Sequence, residues 1–298
     1  MTNHRGGKNI AYAIIRNMKA KPGYTILEVL LFVAVSSMMF VAALTAIGGR
    51  QQQVQFAQAT REFDAKLRDI INDITTGYFP TNSTINCSVV AGEVQIAIST
   101  GKELGTNDTC VYVGKALQFQ PEGNASIMRI YPLAGRRYSD LKLTPSVSIA
   151  ESRPKAVVLL SNATFKDQVE NYNLLYGLKV TRVIRQITPT TLTDYGIVGI
   201  LSNFGGSSVS ESQSVQIGGV NASFSPLGLD KPSAVAIINT LTDDPSKSGS
   251  SGYFEKNTNE GVTICLESPE GKKASVNFGI KGSSATELKL DNYEKGCD

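Results

Sequence analysis

Lys21-Pro22-Gly23-Tyr24-Thr25-Ile26-Leu27-Glu28-Val29-Leu30 joins a basic N-terminal segment to a long apolar run that carries one carboxylate. From Tyr24 to Ile47 there are 24 residues, and Glu28 is the only charge among them. As an α-helix rising about 1.5 Å per residue, this run crosses a bilayer core of roughly 30 Å. An ionised carboxylate in such a helix costs on the order of a few kcal/mol, so a partner for it has to be sought. Arg50 lies about six turns further along. Lys21 stands behind Pro22 and Gly23, which oppose the helical geometry that would bring it near. Cutting the Gly23–Tyr24 bond would supply a different cation, the new α-amino group of Tyr24.

Two plainer readings compete. A secretory signal places a basic segment before an apolar core and a small-residue site after it, and Val41-Ala42-Ala43 fits such a site. Its core is normally about 7–15 residues, however, and has no use for Glu28. A plain single-pass anchor would carry Glu28 as a costly accident.

Gly23, the aromatic Tyr24, Thr25-Ile26-Leu27-Glu28 and the apolar run behind them resemble the type IV prepilin processing site, over about residues 19–76. The resemblance implies a pilin-like, α+β fold, with a long N-terminal helix packed on a large antiparallel β-rich head. It also implies that a prepilin peptidase cuts between Gly23 and Tyr24 on the cytoplasmic side and methylates the Tyr24 amine. Glu28 would then neutralise the N-terminus of a neighbouring subunit in a filament. Tyr24 stands where phenylalanine is commoner in the family; it keeps the ring and adds a hydroxyl. The partners implied are the peptidase/methylase, other pilin-like subunits through the helix, and the membrane.

The chain of 298 residues carries a formal charge of +3. Arg5, Lys8, Arg16, Lys19 and Lys21 sit in residues 1–23 without any acid, so removing these five cations takes +3 to −2. A basic flank stays in the cytoplasm and sends the C-terminal part of the chain across the membrane. The expected organisation is a leader (1–23), a transmembrane or filament-core helix (24–47), an amphipathic continuation (48–77) and a β-rich head (78–298). Cys87, Cys110, Cys265 and Cys297 suit an oxidising compartment. Spacing alone allows three pairings; Cys87 with Cys110 and Cys265 with Cys297 are favoured as local and non-crossing.

Beyond Arg50, Phe56, Phe63, Leu67, Ile70, Ile71 and Ile74 form one helical stripe, with Arg61, Glu62, Asp64, Lys66, Arg68 and Asp69 between them. Gly77 and Pro80 end the helix. Gly48-Gly49 reads either as a bend or as a simple bilayer exit. Past Pro80, strands are expected at Val94–Ile98, Cys110–Phe119, Ile127–Tyr131, Ala156–Leu160, Tyr176–Val180, Ser214–Val220, Ala234–Leu241, Gly261–Ser268 and Ala274–Ile280. A hairpin turn is expected at Pro269-Glu270-Gly271. Gly205-Gly206-Ser207-Ser208 and Ser246–Gly252 read as loops.

The single histidine, His4, lies in the leader, which disfavours Ser/His/Asp, Cys/His and His-ligated metal chemistry beyond it. No catalytic residue, cofactor or metal is expected. Asp243-Asp244 is the nearest thing to an acid/base or calcium pair, in a turn-forming context. Lys272, Lys273 and Lys281, and separately Arg136-Arg137, are candidate basic patches for DNA, and the head is a candidate for a surface ligand. Asn82, Asn107, Asn162 and Asn221 head N-x-S/T triplets. A head of this size suggests a minor or tip-proximal subunit. The alternative is a membrane-anchored adhesive or DNA-binding protein that does not polymerise.

Overall fold

A computed structural model describes residues 23–77, 85–98, 110–139, 145–158, 168–188, 191–203, 215–221, 227–247, 249, 252–256, 261–280, 285–290 and 297. Its first element is α1, Ile26–Thr76. Thr25 caps it: its hydroxyl accepts from the Glu28 N–H at 3.2 Å, and its carbonyl accepts from Glu28 N at 3.0 Å and Val29 N at 3.2 Å. At the other end Gly77 takes φ +68°, the left-handed turn that glycine allows, and donates its N–H to Ile74 O. The helix continues through Gly48 and Gly49. Two compact units divide the chain, Met1–Gln53 and Val54–Asp298, so the second half of α1 belongs to the same unit as the strands.

In that second unit the stripe is buried as its spacing requires. Phe56, Phe63, Leu67, Ile70, Ile71 and Ile74 all lie in the main core. They share it with two sheets. The larger has the order β11-β10-β9-β3-β4-β5, with β6 also on β4. Its strands are β3 (Cys110–Phe119), β4 (Ile127–Arg136), β5 (Lys155–Ala156), β6 (Glu170–Asn173), β9 (Ile197–Ser202), β10 (Val215–Asn221) and β11 (Tyr253–Lys256). The smaller has the order β14-β13-β12-β7-β8, from β7 (Lys179–Thr188), β8 (Thr191–Asp194), β12 (Val262–Glu267), β13 (Lys273–Phe278) and β14 (Thr286–Leu290). A separate hairpin joins β1 (Ile85–Val90) to β2 (Glu93–Ile98). Every named strand pair among the described residues is antiparallel.

Period-two alternation decides which face each residue serves. In the larger sheet Leu117, Phe119, Met128, Ile130, Val198 and Ile200 face the core shared with α1. Ala116, Leu133, Ile197 and Leu201 face the other way, onto a second core with Ala234, Ile238 and Leu241. Two short helices lie among the strands, α2 (Ile149–Ser152) and α3 (Lys231–Ile238), and Ile149 of α2 belongs to this second core too.

Three strand expectations are corrected. Ala234–Leu241 is not a strand: it falls largely in α3, where the Asp230 carboxylate caps the Ser233 N–H at 3.0 Å and Pro232 occupies the first turn. Ala234 and Ile238, four residues apart, bury one side of that helix. Tyr176 does not begin β7; it sits at φ +51° in a short turn, Leu175–Gly177, and the strand starts at Lys179. Extended pairing at Ala156 stops after that residue, while residues 159 and 160 lie outside the described set. The expected hairpin is present: Glu267 pairs with Lys273, Ser268 N–H donates to Lys272 O at 2.7 Å, and Gly271 takes φ +78°.

Candidate functional site

Helical spacing puts Tyr24, Glu28 and Phe32 on one side of the start of α1. Together with Val29 they line a shallow groove of about 320 Å³. Tyr24 is 79 % exposed and the apolar side chains through Leu44 stand in the open. Ile26–Leu44 is long and apolar enough to cross a membrane, with none of it buried in the protein. Glu28 has no ion-pair partner among the described residues. Among the described residues a Cβ placed on Gly23 would meet nothing within 4 Å, so they place no steric demand for glycine there.

Thr25-Ile26-Leu27-Glu28 is also the sequence pattern of a helix capping box, with Thr25 at the cap and Glu28 at the third helical position. An acid there opposes the positive end of the helix dipole, worth about 0.3–1 kcal/mol. Glu28 therefore has a local role besides any it plays between chains. The signal was in the sequence, a threonine followed three residues later by glutamate ahead of an apolar run.

Cys265 and Cys297 form a disulfide with Cα atoms 5.4 Å apart, packed beside Ile184. Cys110 is buried and disulfide-bonded. The side chain of Cys87, in β1, lies outside the described residues.

The candidate chemistry of the head resolves into structural duties. Asp243 caps α2, its two oxygens accepting from Ile149 N at 3.2 Å and Ala150 N at 2.9 Å. Asp244 folds its own turn, accepting from Ser246 N at 3.0 Å and Ser246 Oγ at 2.8 Å, and these bonds hold its carboxyl below the usual range. Their carboxylates therefore serve separate local contacts rather than one acid/base or calcium site. Arg136 is no surface cation: it is 5 % exposed and donates to the carbonyls of Glu151 and Gly92. Lys272 and Lys273 are half-buried beside the hairpin turn, and Lys281 lies outside the described residues. Asn221 donates its amide to Glu255 Oε1 at 3.2 Å. Asn82, Asn107 and Asn162 lie outside the described residues. Among the described residues no group of three or more His, Cys, Asp or Glu side chains is placed to hold a metal.

Charged contacts at the second half of α1 were not foreseen. Lys115 of β3, its side chain 7 % exposed, pairs with Asp73 at 2.6 Å. Burial, then the Asp73 charge, raises the neighbouring Tyr112 phenol far above its ordinary value. Arg68 reaches Asp64 at 2.8 Å and Thr286 Oγ1 of β14 at 2.7 Å, while Lys66 reaches Glu170 of β6 at 2.6 Å. These contacts orient the stripe against both sheets.

No protein-family model matches this chain, and no curated protein or solved structure matches it either.

Proposed function

We propose that this chain is a type IV pilin-like structural subunit, made as a precursor, cut between Gly23 and Tyr24 by a prepilin peptidase, and assembled through α1 into a pilus or pseudopilus. The observation that carries this is the exposed apolar first half of α1, whose one acid, Glu28, has no ion-pair partner among the described residues and lies one turn from a glycine on which those residues place no steric demand. Cleavage after that glycine creates the cation that Glu28 lacks. In the filament, Glu28 of one subunit pairs with the Tyr24 amine of another. The size of the head suits a minor or tip-proximal position.

A second reading is a membrane-tethered head that never polymerises. It is favoured by the place of Glu28 in the first turn of α1, where its charge meets the helix dipole within its own chain. Mass spectrometry of the mature N-terminus tests the precursor. A start at Tyr24, methylated or not, is expected. A protein that retains residues 1–23, or one that starts at Leu44, overturns the assignment.

A further inference from the structure

We propose that the head binds a carboxylate-bearing ligand in a cavity of about 520 Å³ whose wall includes Arg185, Gln216, Asp243, Tyr253, Glu255 and Lys256. The inference rests on which polar groups on that wall are already used. Asp243 spends both oxygens on the α2 backbone. Glu255 accepts from Asn221 Nδ2 on one oxygen and from the Tyr195 hydroxyl and Arg185 on the other. All four carboxylate oxygens are taken by donors of the protein.

The cations are not taken in the same way. Arg185 is about four-fifths buried and its one ion-pair contact is Nη1 to Glu255 at 3.5 Å; its Nε is unpartnered among the described residues but closed to solvent, so only the terminal nitrogens can face the cavity. The two terminal nitrogens of a guanidinium carry four N–H donors, more than the contacts with Glu255 and Tyr195 use. Lys256 is exposed and forms no ion pair among the described residues. A wall with donors to spare and its carboxylates occupied suits an acceptor, and a planar carboxylate matches the arginine fork.

The site is also built rather than incidental. Tyr195 is fully buried, and a Cβ on Gly219 would come within 2.1 Å of its ring, so glycine in β10 leaves the room that lets the phenol hold Glu255. Two acids balance two cations on this wall, so it holds no excess positive charge for a phosphate dianion, and an acceptor is selected by hydrogen-bond geometry. A peptide strand added along β11 is disfavoured, because Thr242 already occupies that edge: its N–H donates to Gly252 O at 3.0 Å and its carbonyl accepts from Phe254 N at 2.8 Å. Recognition is left to side chains, and a uronic acid or an acidic side chain shares the required chemistry.

The site uses head residues only and stands whether or not Tyr24 becomes an N-terminus. The full chain, in micelles of an uncharged detergent, is titrated calorimetrically with sodium glucuronate, N-acetylglutamate α-amide, glucose and inorganic phosphate. Saturable binding of at least one carboxylate in the millimolar range or tighter is expected. Arg185→Gln should weaken it about tenfold or more, by loss of the charge-assisted fork. The exposed Lys256→Gln should weaken it several-fold and keeps the test valid if the arginine variant misfolds. Whichever carboxylate binds tighter identifies the saccharide or peptide source. The proposal fails if neither carboxylate binds saturably, if glucose or phosphate binds as tightly, or if Lys256→Gln binds as the wild type does.

Discussion

Glu28 has two candidate duties, capping its own helix and pairing with a neighbour's amine, and one substitution separates them. Glutamine serves at the third position of a capping box as glutamate does, so Glu28→Gln keeps the cap while removing the charge. The Thr25 hydroxyl still receives the residue-28 N–H, a backbone bond that the substitution does not touch. The helix loses only the charge–dipole term, about 0.3–1 kcal/mol. Entry into a bilayer becomes easier, because a neutral amide costs less there than a carboxylate.

Assembly responds differently. If Glu28 pairs with a Tyr24 amine inside apolar packing, the variant leaves that cation buried without its mate, a loss of about 3–5 kcal/mol. At 1.4 kcal/mol per factor of ten this is on the order of a hundredfold or more in the equilibrium for incorporation. The assay separates filaments sheared from cells from the membrane fraction and measures the protein in each. Glu28→Gln should be normal in membranes and nearly absent from filaments, as should Glu28→Ala. If Glu28→Gln is incorporated like the wild type while Glu28→Ala is not, Glu28 acts as a helix cap only, and the pairing scheme is refuted.

Three further outcomes concern the head. Asp73→Ala leaves the buried Lys115 ammonium without its partner and should cost about 3 kcal/mol, the lower end for a broken buried pair because Asp73 is itself a third exposed; adding Lys115→Met should recover much of this in urea melts. Cys265→Ser opens a disulfide with a sequence separation of 32 and should cost roughly 3–4 kcal/mol on the chain-entropy estimate, read as a lowered Tm without reductant. The Glu93 carboxyl is held below its ordinary value of 4.5 first by its bond to Lys155; burial opposes this, and the Lys155 and Arg153 charges add to the lowering. Its contribution to seating the β1–β2 hairpin is therefore complete above about pH 4.5 and fades as pH falls through the lowered value. Thermal melts from pH 6 to pH 3 should lose part of their acid sensitivity in Glu93→Gln; an unchanged profile would show that the pairing contributes nothing.

The parts of the fold that were legible in the sequence are those where one local period decides the outcome. Phe56, Phe63, Leu67 and Ile74 recur at helical spacing, so their burial followed from the spacing alone. Pro269-Glu270-Gly271 carries its own turn chemistry, and the hairpin is there. Ala234–Leu241 failed because an apolar run without polar alternation does not separate strand from helix; the deciding signals, Asp230 and Pro232, lie at or before its start. The division into two sheets was not legible, since β3 pairs with β9 across nearly eighty residues and no local pattern names the partner. The cavity at Arg185 and Glu255 was missed for the same reason, because strands distant in sequence bring its wall together. At the N-terminus, the stretch Gly23 to Glu28 is legible as a motif, and the same residues spell the helix start, with Thr25 at the cap.

The two halves of α1 require different surroundings, and that difference bears on function. Its later half is apolar along one stripe, which a folded head can satisfy. Its earlier half is apolar on every side, with Ile26, Leu27, Leu30, Phe32, Met38, Met39 and Phe40 all more than 60 % exposed. At about 1.5–3 kcal/mol for each large apolar side chain buried, leaving this run in water would cost on the order of 20 kcal/mol, more than the net stability of an ordinary domain. The run therefore suits an apolar medium, and a bilayer or a bundle of identical helices would serve equally well for Phe32 or Met38. Under the proposed function Glu28 distinguishes the two. Lipid offers a carboxylate nothing in return, whereas a bundle of chains that each begin at Tyr24 brings an amine to the depth at which the acid lies.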